Sequence, residues 1–254
     1  MNPIVKIVFL TALMTLSCVT ATMAEENYFS LKPSPAEILK KMDEGNRRFS
    51  TENPLPVNNT ADRRTLAAKE NQGKYAYATV LSCSDSRVPV ELIFDAGVMD
   101  IFTIRVAGNV CNTDEVGCVE YGVCHVNTPL VIVMGHSQCG AVTAVLQELQ
   151  GHGHKMEDNI PPLVASLIPP VRKVLATHPS AADAALLNFC IEEAVWQDIE
   201  NLFLKSTAVR AMVKSGKVKV IGAIYDIESG RVKWLPENKV TLLLEQAEKN
   251  TRHH

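Results

Sequence analysis

The sequence has no basic run, no low-complexity tract and no clear internal repeat. Beyond its first two dozen residues it also has no apolar run long enough to span a bilayer. Its 25 Lys and Arg nearly balance 28 Asp and Glu, for a net charge of −3. That balance gives no electrostatic case for nucleic acid as a partner. Aromatic residues make up only 6%, yet 46% of the 254 residues are hydrophobic, enough for the core of one α/β domain.

The N-terminus reads differently from the rest. Residues 1–6 carry one basic side chain and residues 7–18 are largely apolar. Thr22 and Ala24 then place small residues at −3 and −1 of a cleavage point before Glu25. This predicts a signal peptide over residues 1–24, a single domain over 25–254 and a periplasmic or secreted product. Lipid attachment at Cys18 is disfavoured, because Thr15 stands where a leucine is usual. Removing the leader leaves Cys83, Cys111, Cys118, Cys124, Cys139 and Cys190. In an oxidising compartment these could form disulfides, although most sit in apolar or helical contexts that suit small buried thiols.

Ser34-Pro35-Ala36-Glu37 has the form of a capping box and opens a helix through residue 49. A second helix is expected over 61–72, which completes an N-terminal arm of residues 34–72. The core, residues 75–235, alternates strands with helices. Strands are expected at 75–83, 101–106, 129–135 and 217–225, with helices at 89–94, 114–125 and 138–150 and a largely helical stretch from 160 to 215. A turn at Glu228-Ser229-Gly230 returns the chain as a strand over 232–235, and a helix over 237–250 closes the domain. This order predicts an α/β fold: a mostly parallel central sheet flanked by helices, with an antiparallel edge hairpin.

The most informative residues are Cys83-Ser84-Asp85-Ser86-Arg87 and His136-Ser137-Gln138-Cys139. Two thiolates and an imidazole suit Zn²⁺, and three protein ligands rather than four is the pattern that leaves a position free for chemistry. Cys83 and His136 end two expected strands, at the sheet edge where α/β proteins collect ligands. Cys139 is expected in the first turn of the next helix, with Ser137 as its cap and the amide donors favouring a thiolate there. Gly135 and Gly140 are read as allowing close backbone approach on either side. A Cys83–Cys139 disulfide is the competing reading. Asp85 and Arg87 are placed to pair, with Arg87 holding Asp85 ionised; freed from the pair, Asp85 could become a fourth metal ligand and close the site.

These motifs resemble those of the β-class carbonic anhydrases. So do Ile93-Phe94-Asp95-Ala96-Gly97, Val106-Ala107-Gly108-Asn109, the segment 116–122 and the segment 129–135, so that the resemblance covers roughly residues 35–245. It implies the β-carbonic anhydrase fold and reversible hydration of CO₂ to bicarbonate and a proton. One Zn²⁺ per subunit would be held by Cys83, His136 and Cys139, with Asp85 and Arg87 as a catalytic dyad. It also implies self-association to a dimer or tetramer, clasped by the N-terminal helices. Two positions depart from the family. Met99 stands where a second glycine is common, predicting a reshaped turn, and Lys74 replaces a substrate-orienting glutamine that Gln72 could restore only by a loop shift. A carbon disulfide or carbonyl sulfide hydrolase of the same fold, or an inactive zinc-bound assembly module, are the alternative readings.

Overall fold

A computed structural model describes residues 28–56 and 59–251. The expected leader, its cleavage point and Cys18 lie outside the described residues. No helix among the described residues is long and apolar enough to cross a membrane.

Five strands form one sheet: β1 (Ala78–Cys83), β2 (Ile101–Val106), β3 (Leu130–His136), β4 (Lys219–Tyr225) and β5 (Val232–Trp234). Their order is β2-β1-β3-β4-β5. The first four are mutually parallel, and β5 runs antiparallel to β4 at the edge. The antiparallel edge hairpin is therefore present as expected. β1 and β3 are buried at every position, as strands covered on both faces; the apolar run of β3 suits this, and β1 also buries Thr79 and Ser82.

The helices are α1 (Pro35–Ser50), α2 (Ala61–Ala67), α3 (Val90–Ile93), α4 (Thr113–Cys124), α5 (Gly140–Leu149), α6 (Ile160–Val164), α7 (Ile168–Thr177), α8 (Asp183–Lys205), α9 (Thr207–Lys214) and α10 (Glu237–Thr251). Side-chain alternation along the strands sorts them between the two faces. Leu81, Val131, Val133 and Val220 meet α4, α8 and α10 on one face. Val80, Ile132, Met134 and Ile221 meet Ile38 and Met42 of α1 and the α3 segment on the other. The Ser34 capping box forms in full, with Glu37 N–H donating to Ser34 Oγ and Ser34 N–H to Glu37 Oε2.

α2 is shorter than expected. It stops at Ala67, and Gln72–Lys74 form a separate 3₁₀ turn. None of its residues is buried, so no apolar stripe sustains it; its tie to the core is Arg63, which donates to Val98 O and pairs with Asp100 at 2.9 Å.

In the turn before β2, Met99 itself adopts the left-handed conformation, at φ +69°. Asp100 holds the turn by accepting the Gly97 N–H at 2.8 Å.

A candidate zinc centre at the sheet's switch point

In this strand order the connection from β1 runs outward to β2, while β3 lies on β1's other side. The carboxyl ends of β1 and β3 thus flank the point where the winding reverses, the place where open α/β sheets bind ligands. Cys83 ends β1 and His136 ends β3. Cys139 stands at the N-cap of α5 rather than in its first turn, because the helix starts at Gly140, two residues later than expected. Ser137 does not cap that helix; its Oγ accepts the Ile227 N–H at 2.9 Å and ties the loop to the far end of β4.

The three side chains converge. Cys83 Sγ, Cys139 Sγ and a ring nitrogen of His136 all lie within 4.8 Å of one another, and all three residues are buried. His136 Nδ1 lies 2.9 Å from Ser137 O. A carbonyl can only accept, so Nδ1 carries the proton and Nε2 presents its lone pair. Nε2 is buried with no protein partner. A buried nitrogen lone pair left without a donor, facing two sulfurs, is the arrangement a soft cation completes, and this donor set fits Zn²⁺.

Backbone amides prepare Cys83 for that role. Asp85 N–H and Gly108 N–H both point at its sulfur, at 3.4 and 3.3 Å. A hydrogen bond from the Cys139 thiol, helped by these amides, lowers the Cys83 thiol. The same hydrogen bond, together with burial, pushes Cys139 up. Without a metal the two sulfurs therefore share one proton, held in the hydrogen bond between them. Amides at the start of α5, those of Ala141 and Val142, act on Cys139 in the sense expected of a helix terminus, against the pull of the neighbouring sulfur.

Asp85 is not part of the three-donor cluster. Arg87 takes both its oxygens, Nε to Oδ1 at 2.9 Å and Nη2 to Oδ2 at 2.7 Å, and the Arg87 N–H adds a bond to Oδ1. These bonds keep the carboxyl well below the usual carboxylate range. Its Oδ2 remains 4.0 Å from His136 Nε2, beside the cluster.

Arg105, which the sequence pattern did not single out, anchors the loop that carries this pair. It donates to Cys83 O at 3.0 Å and to Asp85 O at 2.6 Å. Being on β2, its signal was only a charge inside an apolar strand. Gly135 behaves as expected, since a Cβ there would sit 2.9 Å from Val195 Cγ2 of α8. Gly140 does not, for nothing lies within 4 Å of that position.

All six described cysteines are free. Cys111 and Cys190 are buried thiols as expected, whereas Cys118 is exposed on α4. Gln72 is exposed on its 3₁₀ turn, and Lys74 pairs with Glu70 instead.

The family model for carbonic anhydrase matches residues 78–232. A carbonic anhydrase of Mycobacterium tuberculosis is 30% identical over 202 residues, covering 78% of this chain and 91% of that protein. One from Mycolicibacterium smegmatis is 31% identical over 202 residues, covering 78% and 92%. Among solved structures, a β-carbonic anhydrase of the fungal pathogen Aspergillus fumigatus superposes with a TM-score of 0.61 at 27% identity, over 83% of this chain and 97% of that one. A tetrameric β-carbonic anhydrase from Sordaria macrospora shares the fold at 20% identity, with a TM-score of 0.57 over 68% and 84%. β-Carbonic anhydrases bind zinc, and the buried Cys–His–Cys cluster is consistent with that. Sequence match, sheet order and donor set agree, and the chain belongs to the β-class carbonic anhydrases.

Proposed function

We propose that this protein catalyses the reversible hydration of CO₂ to bicarbonate and a proton, with one Zn²⁺ per subunit held by Cys83, His136 and Cys139. The observation that carries the reading is the clasp of Asp85 by Arg87. It keeps a carboxylate beside the cluster and out of it, so that a fourth position stays free. Zinc, when bound, supplies the Lewis acidity that makes water nucleophilic near neutral pH. Asp85 does the orienting. Oδ1 is filled by the Arg87 N–H and Nε, but Oδ2 accepts only from Nη2 and keeps a lone pair, so that on the His136 side it can accept a hydrogen bond from the attacking water. Arg87 is thus the positioning partner, fixed in turn by donating to Gln138 O at 3.2 Å. If Arg87 releases it, Asp85 is near enough to take the fourth position and close the site.

We also propose that the enzyme self-associates. Ser84, Ser86 and Arg87 at the mouth of the site are exposed, as are Leu92 and Tyr121, at 52% and 51%. A second copy would cover such surface and dry the site. Export to the periplasm or medium follows from residues 1–24, and N-terminal sequencing of the secreted protein beginning at Glu25 tests it.

Stopped-flow CO₂ hydration on the wild type and on Asp85→Ala tests the central claim. Loss of roughly 10²-fold or more with zinc retained supports the assigned roles. Equal rates in the two proteins remove Asp85 from the reaction. Turnover of carbon disulfide in place of CO₂ transfers the chain to the hydrolase reading.

A further inference from the structure

Behind the zinc centre lies a buried carboxylate that the reaction does not use. Asp198, in the middle of α8, is 1% exposed. Its Oδ2 accepts from Asn109 Nδ2 at 2.9 Å and its Oδ1 accepts the Cys111 N–H at 2.9 Å. No ion pair involves it among the described residues. Burial pushes its carboxyl up, against the pull of these two bonds.

Both partners belong to one short segment, and that segment touches the centre. Gly108 and Asn109 are consecutive left-handed residues, at φ +73° and +48°. This sharp bend aims the Gly108 N–H at Cys83 Sγ. The bend is also tightly enclosed, since a Cβ on Gly108 would lie 3.0 Å from Leu167 Cδ1 and 3.1 Å from Ala141 Cβ at the start of α5. The next link is fixed from both sides: the Cys111 N–H goes to Asp198, and Cys111 O accepts from Lys205 of the same helix at 3.4 Å.

We infer that Asp198 is a positioning residue for the zinc centre, resting on the reading of Cys83 as a ligand. It grips residues 109 and 111 so that the Gly108 amide stays on the Cys83 sulfur. A carboxylate suits the site because both partners, as they stand, are donors. An asparagine at 198 still accepts the Cys111 N–H but turns its NH₂ toward the Asn109 NH₂, so that Asn109 must flip its amide to pair with it, and the charge that draws both donors is lost. Groups that orient a ligand in this way are commonly worth tenfold to a hundredfold in metal affinity.

The chemistry supplies its own rescue. In Asp198→Asn combined with Asn109→Asp, the new amide donates to the new carboxylate and its oxygen still accepts from Cys111. Aspartate also tolerates the left-handed backbone at 109 nearly as well as asparagine. The experiment is zinc competition against a chromophoric chelator, run beside thermal melting, on wild type, Asp198→Asn and the double variant. We expect Asp198→Asn to bind zinc roughly tenfold to a hundredfold more weakly, and the double variant to return to the wild-type value. Unchanged zinc affinity in Asp198→Asn, with only its melting lowered, would make Asp198 purely structural and overturn the inference. So would a double variant that melts like wild type but still binds zinc weakly, and this arm decides the matter if Asp198→Asn alone does not fold. Wild type that takes up no zinc would instead overturn the reading of the centre itself.

Discussion

Arg87 grips Asp85 as a fork: its Nε and Nη2 each donate to a different carboxylate oxygen, at 2.9 and 2.7 Å. The same Nη2 reaches Gln138 O, so one guanidinium joins the loop after β1 to the loop that carries Cys139. A fork is something lysine lacks, although it keeps the charge. Arg87→Lys should therefore lower CO₂ hydration by roughly tenfold to a hundredfold, an order set by the loss of a bidentate charge-assisted pair. Zinc content should be unchanged, because Arg87 is no donor to the cluster. Metal analysis beside stopped-flow rates checks both halves. A variant that hydrates CO₂ at the wild-type rate would show that charge alone suffices.

Removing zinc should expose a redox liability. The Cys83 and Cys139 sulfurs lie within 4.8 Å and share one proton, so that one of the two is a thiolate. Thiolates rather than thiols attack disulfides. Chelated protein exposed to oxidised glutathione should acquire a Cys83–Cys139 disulfide, seen as a cross-linked peptide by mass spectrometry, while zinc-loaded protein resists. Equal cross-linking with and without zinc would show that the metal does not guard these sulfurs.

Much of this centre was legible because its parts announce themselves locally. Cys83 and His136 end strands whose apolar runs mark their limits, and the i, i+3 spacing of His136 and Cys139 brings both to one point. The Asp85–Arg87 pair needed only a tight turn. What stayed hidden depended on partners remote in sequence. Arg105 anchors the site loop from a neighbouring strand, Asp198 meets residues 109 and 111 from α8, and Ser137 turns from its own helix to Ile227. The end of α2 was misplaced because its sequence has helix formers through residue 70 and no buried side to define where packing stops.

The N-terminal segment carries a titration with a definite sign. Lys32 Nζ donates to Val126 O and Asn127 O at 2.7 and 2.8 Å, fastening residues 28–32 beside the end of α4. Burial lowers its ammonium to about 8, against about 10.4 for an unfolded lysine. Between those values the unfolded chain holds more protons than the folded one, so stability should rise with pH from about 8 to about 10.4. Lys32→Met removes the titrating group and should flatten that rise relative to wild type. Parallel urea titrations across the window check it, and identical slopes in the two proteins would refute it.

Met99 supplies a stability prediction from backbone geometry alone. Its φ of +69° is a conformation that crowds the side chain of an L-residue, at a cost of roughly 1–2 kcal/mol. The turn cannot relax, because Asp100 is held by both Gly97 N–H and Arg63. Met99→Gly relieves the crowding but loses the contacts of a partly buried side chain and gives the unfolded chain more freedom. The relief should prevail by about 0.5–1 kcal/mol, since the side chain is not fully enclosed and its lost burial is correspondingly small. Denaturant unfolding should show a higher midpoint at unchanged slope, with CO₂ hydration unaffected because the turn lies on the N-terminal side of β2, away from the zinc centre. A lower midpoint would mean that the methionine's packing outweighs its strained backbone.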